Sequence, residues 1–336
     1  STDGLSDGAS HTQIHQIESI ESYNKFLESR RGYRNYVVWD HHHFADAQLS
    51  KYNSETAHVV NRIKRKLDPI SKRNYLPEHG LRRGRLTGSS LWKATTELPD
   101  NDRVFHRKQA QGVDRHLDIG LMIDFSSSMD GEALEIAKKC ALIIKESLAD
   151  FNNVNVLLFG HQSLSGPNTI YQFHDDLAFV ALRANGGTNE GSGYAACAKA
   201  MINQCSRSSR KILFAIGDGM TGEDELRNCV QEAGNAGLET VDIFISSPDR
   251  GMYKNRSDDC FESASGIFGE ANIARIYEVG LQEISQFYSV DHQATLKTAN
   301  EEALAKRGSM QSQVLQIIEP WLTKLMSRMQ RNAMIA

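Results

Sequence analysis

Residues Asp124 to Gly131 read DFSSSMDG, a carboxylate and three hydroxyls crowded directly after an apolar run of strand length. Side chains of these types in this spacing admit four chemistries: a helix cap, a phosphate cradle, a nucleophile elbow, or half of an oxygen-only metal site. Two other stretches carry chemistry out of proportion to their surroundings: Thr188 in the glycine-rich NGGTNEG and Asp218 in IGDGMTG, which follows another apolar run. In an open α/β sheet, ligands bind beyond the carboxyl ends of strands, beside the point where strand order reverses. If these three loops meet there, Asp124, Ser126, Ser128, Thr188 and Asp218 make a hard donor set that suits Mg²⁺ or Mn²⁺ in octahedral coordination. Gly186, Gly187, Gly217 and Gly219 would let the backbone approach such an ion closely.

The elements that must position these residues are legible from hydrophobic period. Apolar runs at 118–124, 154–160, 211–217 and 240–246 have strand length and are apolar on both faces. Helical periods at 131–149, 194–205 and 223–237 alternate with them. That alternation predicts α/β architecture with a mostly parallel, doubly wound, Rossmann-like sheet covered on both sides. Upstream, residues 49–67 carry apolar and basic positions at helical spacing until Pro69, which predicts a helix within a basic N-terminal arm or subdomain spanning 21–115. Residues 1–20 are polar and are expected to be disordered or loosely docked. The sheet domain is expected over 116–300, and a C-terminal helical tail over 301–336 that packs back on it.

The chain has 336 residues, 40% of them hydrophobic, enough for one large domain or two modest ones. The formal net charge is only −4, yet residues 61–108 hold thirteen Lys or Arg against five Asp or Glu, so the charge is polarised along the chain. No aromatic stacking pattern or recognised module accompanies these basic residues, and nucleic acid is not an expected partner. Five scattered cysteines, several of them among apolar helix positions, read as reduced, buried thiols of a cytoplasmic protein. No apolar run approaches the ~20 residues of a membrane span, and the first residues lack the pattern of a signal peptide. The chain opens on Ser rather than Met, which points to processing or to a piece of a longer product.

The set DFSSS, then a Thr in a Gly-rich loop, then an Asp after a later strand resembles the metal-ion-dependent adhesion site (MIDAS) of von Willebrand factor type A domains. The resemblance spans roughly residues 117–300, and Ser127 stands where the family has Gly. It implies that Ser126, Ser128 and Thr188 supply hydroxyl ligands, with Asp124 and Asp218 acting directly or through bridging waters. An acidic side chain of a partner would be the remaining ligand. Upstream, GRLTGSSLWKATTELPDNDRVFHRKQ, leading into RHLDIGLMIDFSSSM, resembles the segment before the adhesion site in T subunits of aerobic cobaltochelatase, as does VNRIKRKLDPISKRNY before it. That likeness implies a non-catalytic subunit of a cobaltochelatase in cobalamin biosynthesis. Its partners would be a ring-forming AAA+ ATPase and a large chelatase subunit that inserts Co²⁺ into a corrin precursor.

Other readings are weaker on the residues themselves. AIGDGMTGEDEL resembles the acidic loop of haloacid-dehalogenase-type phosphatases, but those need a second Asp two positions after the nucleophile, where Ser126 stands. DFSSS lacks the Gly-x-Ser-x-Gly elbow of serine hydrolases. No Gly-x-x-x-x-Gly-Lys-Ser/Thr loop is present to hydrolyse ATP. The His41-His42-His43 run, flanked by Asp40 and Asp46, is read as a surface feature because adjacent histidines rarely face one ion. An A-domain adaptor of another AAA+ machine that activates metalloenzymes, or a stand-alone metal-dependent scaffold, is the alternative to the chelatase reading.

Overall fold

A computed structural model describes residues 13–29, 41–71, 75–81, 85–86, 105–110, 116–163, 168–187, 189–219, 223–246, 256–269, 273–277 and 310–335. In chain order these form β1 (Gln13–Ile17), α1 (Ile20–Ser29), α2 (His41–Ser71), β2 (Tyr75–Leu81), β3 (Arg85–Leu86), β4 (Phe105–Ala110) and β5 (Leu117–Asp124). There follow α3 (Glu132–Leu148), β6 (Val154–Ser163), β7 (Asn168–Phe173), α4 (Asp176–Ala181), α5 (Glu190–Gln204) and β8 (Arg210–Gly217). The last elements are α6 (Glu223–Asn235), β9 (Leu238–Ser246), α7 (Arg256–Phe268), β10 (Ile273–Tyr277) and α8 (Met310–Ile335).

The main sheet has seven strands in the order β1-β7-β6-β5-β8-β9-β10. β5 is buried at every position and lies between β6 and β8, parallel to both. The chain steps outward on one side through β6 and antiparallel β7, then returns to lay down β8, β9 and β10 on the other side, all parallel. The sheet is therefore the mostly parallel, doubly wound one that the sequence predicts, and strand order reverses between β5 and β8. A small antiparallel sheet, β2-β4-β3, stands apart in the pairing.

Both faces of the main sheet are covered, which is why its strands read as near-continuous apolar runs. Ile119, Leu121 and Ile123 of β5 pack with Ile212, Phe214 and Ile216 of β8 in one core, which also takes in residues of α2, α3 and α8. The opposite face, with Met122, Leu213 and Ala215, meets Tyr194, Ala198 and Met201 of α5 and Leu226 and Cys229 of α6. The predicted basic helix is longer than its periodic stretch, running from His41 to Ser71, and buries Tyr52, Val59, Ile63 and Leu67 in the first core. Its cationic side is tied down too: Arg62 Nε lies 2.9 Å from Glu319 Oε2 of α8, and Lys64 Nζ lies 3.2 Å from Asp150 Oδ2. On α8, Trp321 meets Phe214 edge-on with centroids 4.6 Å apart.

Within residues 1–20, expected to be disordered or loosely docked, Gln13–Ile17 form β1 at the sheet edge; residues 1–12 lie outside the described ones. The strand escapes notice because polar side chains help hold it. Gln16 Nε2 donates to Gln172 Oε1 at 3.0 Å, and Gln172 in turn exchanges amide hydrogen bonds with Gln204 at 3.1 Å, while Ile17 is buried. β7, α4, α7 and β10 are also additions to the sequence reading. β7 buries Thr169 and Gln172 among its apolar residues, which breaks its pattern, and α4 spans only six residues.

Candidate metal centre

Asp124 closes β5 and Asp218 follows β8, so the two carboxylates lie on either side of the point where strand order reverses. Both are buried, and each stands in the other's field. Gly217 makes their approach feasible: a Cβ there would lie 3.1 Å from the Asp124 Cβ. Gly219 has φ of 67°, and a Cβ on it would come within 2.7 Å of the Phe244 ring, so the turn after Asp218 requires glycine.

The DFSSS turn is not a helix cap. Asp124 Oδ1 accepts from the Ser126 backbone N–H at 2.7 Å, closing a local turn of the kind Asp favours. Ser126 Oγ and Ser128 Oγ lie 2.8 Å apart, bonded to each other rather than to helix amides. Residues Ser127–Met129 form one 3₁₀ turn, and α3 begins only at Glu132, behind Gly131 with its φ of 91°. Ser127 is exposed in that turn, whose dihedrals need no glycine.

The loop that carries Thr188 is pinned to both neighbouring strand ends. The Asn185 N–H donates to Phe125 O at 2.8 Å, and the Ser127 N–H donates to Gly186 O at 3.0 Å. Ser163 and Gly187 exchange backbone hydrogen bonds at 2.9 and 2.7 Å, and the Asn189 side chain caps α5 by accepting from the Ser192 N–H. Thr188 itself lies outside the described residues. Of the five predicted ligands, then, Asp124, Ser126 and Ser128 share one hydrogen-bonded turn, Asp218 lies near enough for its charge to act on Asp124, and the residues on either side of the fifth are fastened to Ser163 and to the start of α5.

The electrostatics of this crevice fit a cation. Burial, and then the Asp218 carboxylate, push the Asp124 carboxyl up to about 7, against the opposing hydrogen bonds of Ser126. Two carboxyls in each other's field, with two hydroxyls in the turn of one of them, are the all-oxygen donor set a hard divalent ion prefers. Among the described residues no three His, Cys, Asp or Glu side chains gather to hold a metal, which leaves the hydroxyls indispensable to any such site.

Two buried groups beneath the crevice were not among the predicted site residues. His161 is paired with Asp124 across β5 and β6, is fully buried, and has its Nε2 3.9 Å from Asp124 Oδ1. Neither of its ring nitrogens has a hydrogen-bond partner among the described residues, and burial holds its pKa below the usual value, against the pull of Glu190 and Asp218. Glu190 opens α5 and is buried. Together with burial, the larger cause, it pushes Asp242 of β9 well above the carboxylate range. Glu190 could be noticed two residues after Thr188, but no sequence signal marks His161, whose place depends on strand register. The His41–His43 run opens α2, where His43 is exposed; the side chains of His41 and His42 and all of Asp40 lie outside the described residues.

No family model matches the chain, and no curated protein matches it. Solved structures similar to it include the pilus adhesin SpaC from Lactobacillus rhamnosus GG, at 15% identity and a TM-score of 0.38 over 57% of this chain and 30% of the adhesin. A conserved hypothetical protein, BatB from Bacteroides thetaiotaomicron, is 14% identical with a TM-score of 0.34 over 56% of this chain and 99% of that one. A von Willebrand factor type A structure from Catenulispora acidiphila is 15% identical with a TM-score of 0.33 over 69% and 49% of the two chains. The chain thus spans under a third of the adhesin and about half of the Catenulispora protein. These likenesses are distant, and it is the strand order of the sheet that defines the fold. Among the described residues no helix is long and apolar enough to cross a membrane.

Proposed function

We propose that this chain is a metal-dependent protein-docking module of the von Willebrand factor A type. Asp124, Ser126, Ser128, Thr188 and Asp218 would hold Mg²⁺, or Mn²⁺ in its place. The observation that carries the reading is the pair of buried carboxyls at the strand-order reversal, with two hydroxyls 2.8 Å apart in the same turn. Such a pair is costly to ionise without a cation, as the rise of Asp124 to about 7 expresses. When bound, the ion would supply an open coordination position for an acidic side chain of a partner. The chain's own part is to hold the donors and present the rim; nothing in the arrangement assigns a proton to a nucleophile, and a catalytic role is not proposed.

The finer reading makes the partner an AAA+ ATPase and a large chelatase subunit, in a ring-forming cobaltochelatase that serves cobalamin synthesis in the cytoplasm. Its support is the sequence likeness upstream of β5: VNRIKRKLDPIS of it lies in α2, Arg85–Leu86 and residues 105–109 lie in two strands of the small sheet, and residues 87–104 fall outside the described ones. The general reading is tested by calorimetric titration of the chain with Mg²⁺, in wild type and Asp124→Ala. Binding by wild type and its loss in the variant are expected; equal binding by both would return DFSSS to a purely structural turn. The finer reading is tested by capture of an AAA+ partner in Mg²⁺ and in EDTA, where retention indifferent to the metal would sink it.

A further inference from the structure

We infer that Lys138 is a positioning residue for the candidate site, a buried strut that holds the loop leading to Thr188 against the DFSSS turn. The inference rests on the docking-site reading for its consequence, though not for its geometry. Lys138 lies on the inner side of α3 and is only 5% exposed. Its Nζ donates to Val180 O at 2.7 Å and to Leu182 O at 2.5 Å, two carbonyls at the C-terminal end of α4 that have no place in a continuing helix. The same Nζ sits 5.5 Å from the centroid of the Phe125 ring, one residue before Ser126. One side chain therefore touches the stem of each loop: the chain runs from Leu182 to Thr188 on one side, and from Phe125 to Ser126 and Ser128 on the other.

The surroundings show what a lysine contributes at this place. Burial drives its ammonium down to about 7; Glu135 on the same helix opposes that shift, and Arg183 of the loop adds to it. An apolar side chain of equal length would fill the volume without that penalty. What it could not do is direct two donors at two carbonyls two residues apart. The Lys145 ion pair with Asp176, at 2.5 Å, ties the same helices further from the crevice and leaves the loop stem to Lys138.

The test uses the full chain as wild type, Lys138→Met and Lys138→Arg. In metal-free protein, amide hydrogen exchange of Asn185, Gly187 and Ser127 reads the pinned loop, and exchange of Leu213 in β8 reads the sheet. In Lys138→Met the loop amides are expected to exchange about tenfold faster while Leu213 keeps its rate. Lys138→Arg, which keeps a cation and its donors, should recover part of the difference. Loop rates that do not change, or rates that rise equally at Leu213, overturn the assignment. Should Lys138→Met not fold, Lys138→Gln, which keeps a shorter neutral donor, is read by the same criteria. Mg²⁺ titration is the second arm, with affinity in Lys138→Met expected to fall about tenfold as the loop loosens. If wild type binds no Mg²⁺, the docking-site reading fails while the exchange arm still decides the role of Lys138. If wild type binds and the Lys138→Met affinity is unchanged, Lys138 does not position the site.

Discussion

The two ends of β5 each carry a buried aspartate on the same face of the strand, and they are built in opposite ways. At the start, Asp118 is surrounded by neutral donors: Asn155 Nδ2 reaches its Oδ1 at 3.1 Å, and the Cys205 thiol bonds to it. At the end, Asp124 takes its hydrogen bonds from Ser126 alone, backbone and side chain, and faces a second carboxyl, Asp218. Burial is similar, so burial alone does not make a site. What separates them is that the first carboxylate is satisfied by its neighbours and the second is left in the field of another acid, a conflict that a bound cation would relieve.

The comparison is broken or sharpened most strongly by metal. If Asp124 is a ligand, Mg²⁺ at about 100 times its dissociation constant should stabilise the wild-type chain by about 2.7 kcal/mol, and EDTA should remove the whole effect. Asp124→Ala should abolish that gain in a thermal melt. Asp118→Ala should behave conversely. By removing the acceptor of the Cys205 thiol and of Asn155, whose exposed amide turns to water instead, it should lose about 0.5–1.5 kcal/mol of stability in metal-free protein, with the Mg²⁺ increment intact. A Mg²⁺ response that disappears in Asp118→Ala and survives in Asp124→Ala would reverse the comparison. Next in size is Ser128→Ala. Its hydroxyl is exposed at the crevice and bonded only to Ser126 among the contacts described, so about a tenfold loss of Mg²⁺ affinity, near 1.4 kcal/mol, is expected in calorimetry.

How far the sequence could anticipate this contrast depended on what each residue needed from its neighbours. Asp124, Ser126, Ser128 and Asp218 were legible because an apolar strand ending in oxygen side chains is a local pattern, and the doubly wound fold was legible because β5, β6, β8 and β9 are apolar on both faces. His161 was not, since only register across β6 sets it beside Asp124. Nothing in the sequence marks Lys138, because the carbonyls it meets lie 42 and 44 residues away in the chain. β1 was hidden for a related reason: a strand held through Gln16, Gln172 and Gln204 leaves no apolar alternation to see. Helix capping, the plain reading of DFSSS, was excluded only by the observed bonds of Ser126 and by the late start of α3.

Behind the end of β5 where the acids conflict lies a buried charge of the opposite sign, and its titration gives the smallest of these effects. Lys138 is held near 7 in the folded chain, against an ordinary value of 10.5. Between those two values the unfolded chain binds more protons than the folded one at this residue, so unfolding grows harder as pH rises through the window. The share gained from pH 7 to pH 8 is about 1 kcal/mol. The partial loss of the Asp124 proton in the same interval acts in the opposite direction, since a carboxyl raised in the fold stabilises while it keeps its proton. The informative quantity is therefore the difference between wild type and Lys138→Met in chemical denaturation at the two pH values. In that difference the Asp124 contribution cancels, and the wild-type chain should gain about 1 kcal/mol that the variant does not. A difference of zero would mean that water reaches the Lys138 ammonium, and that this end of β5 is less sealed than its packing against Phe125 and α4 implies.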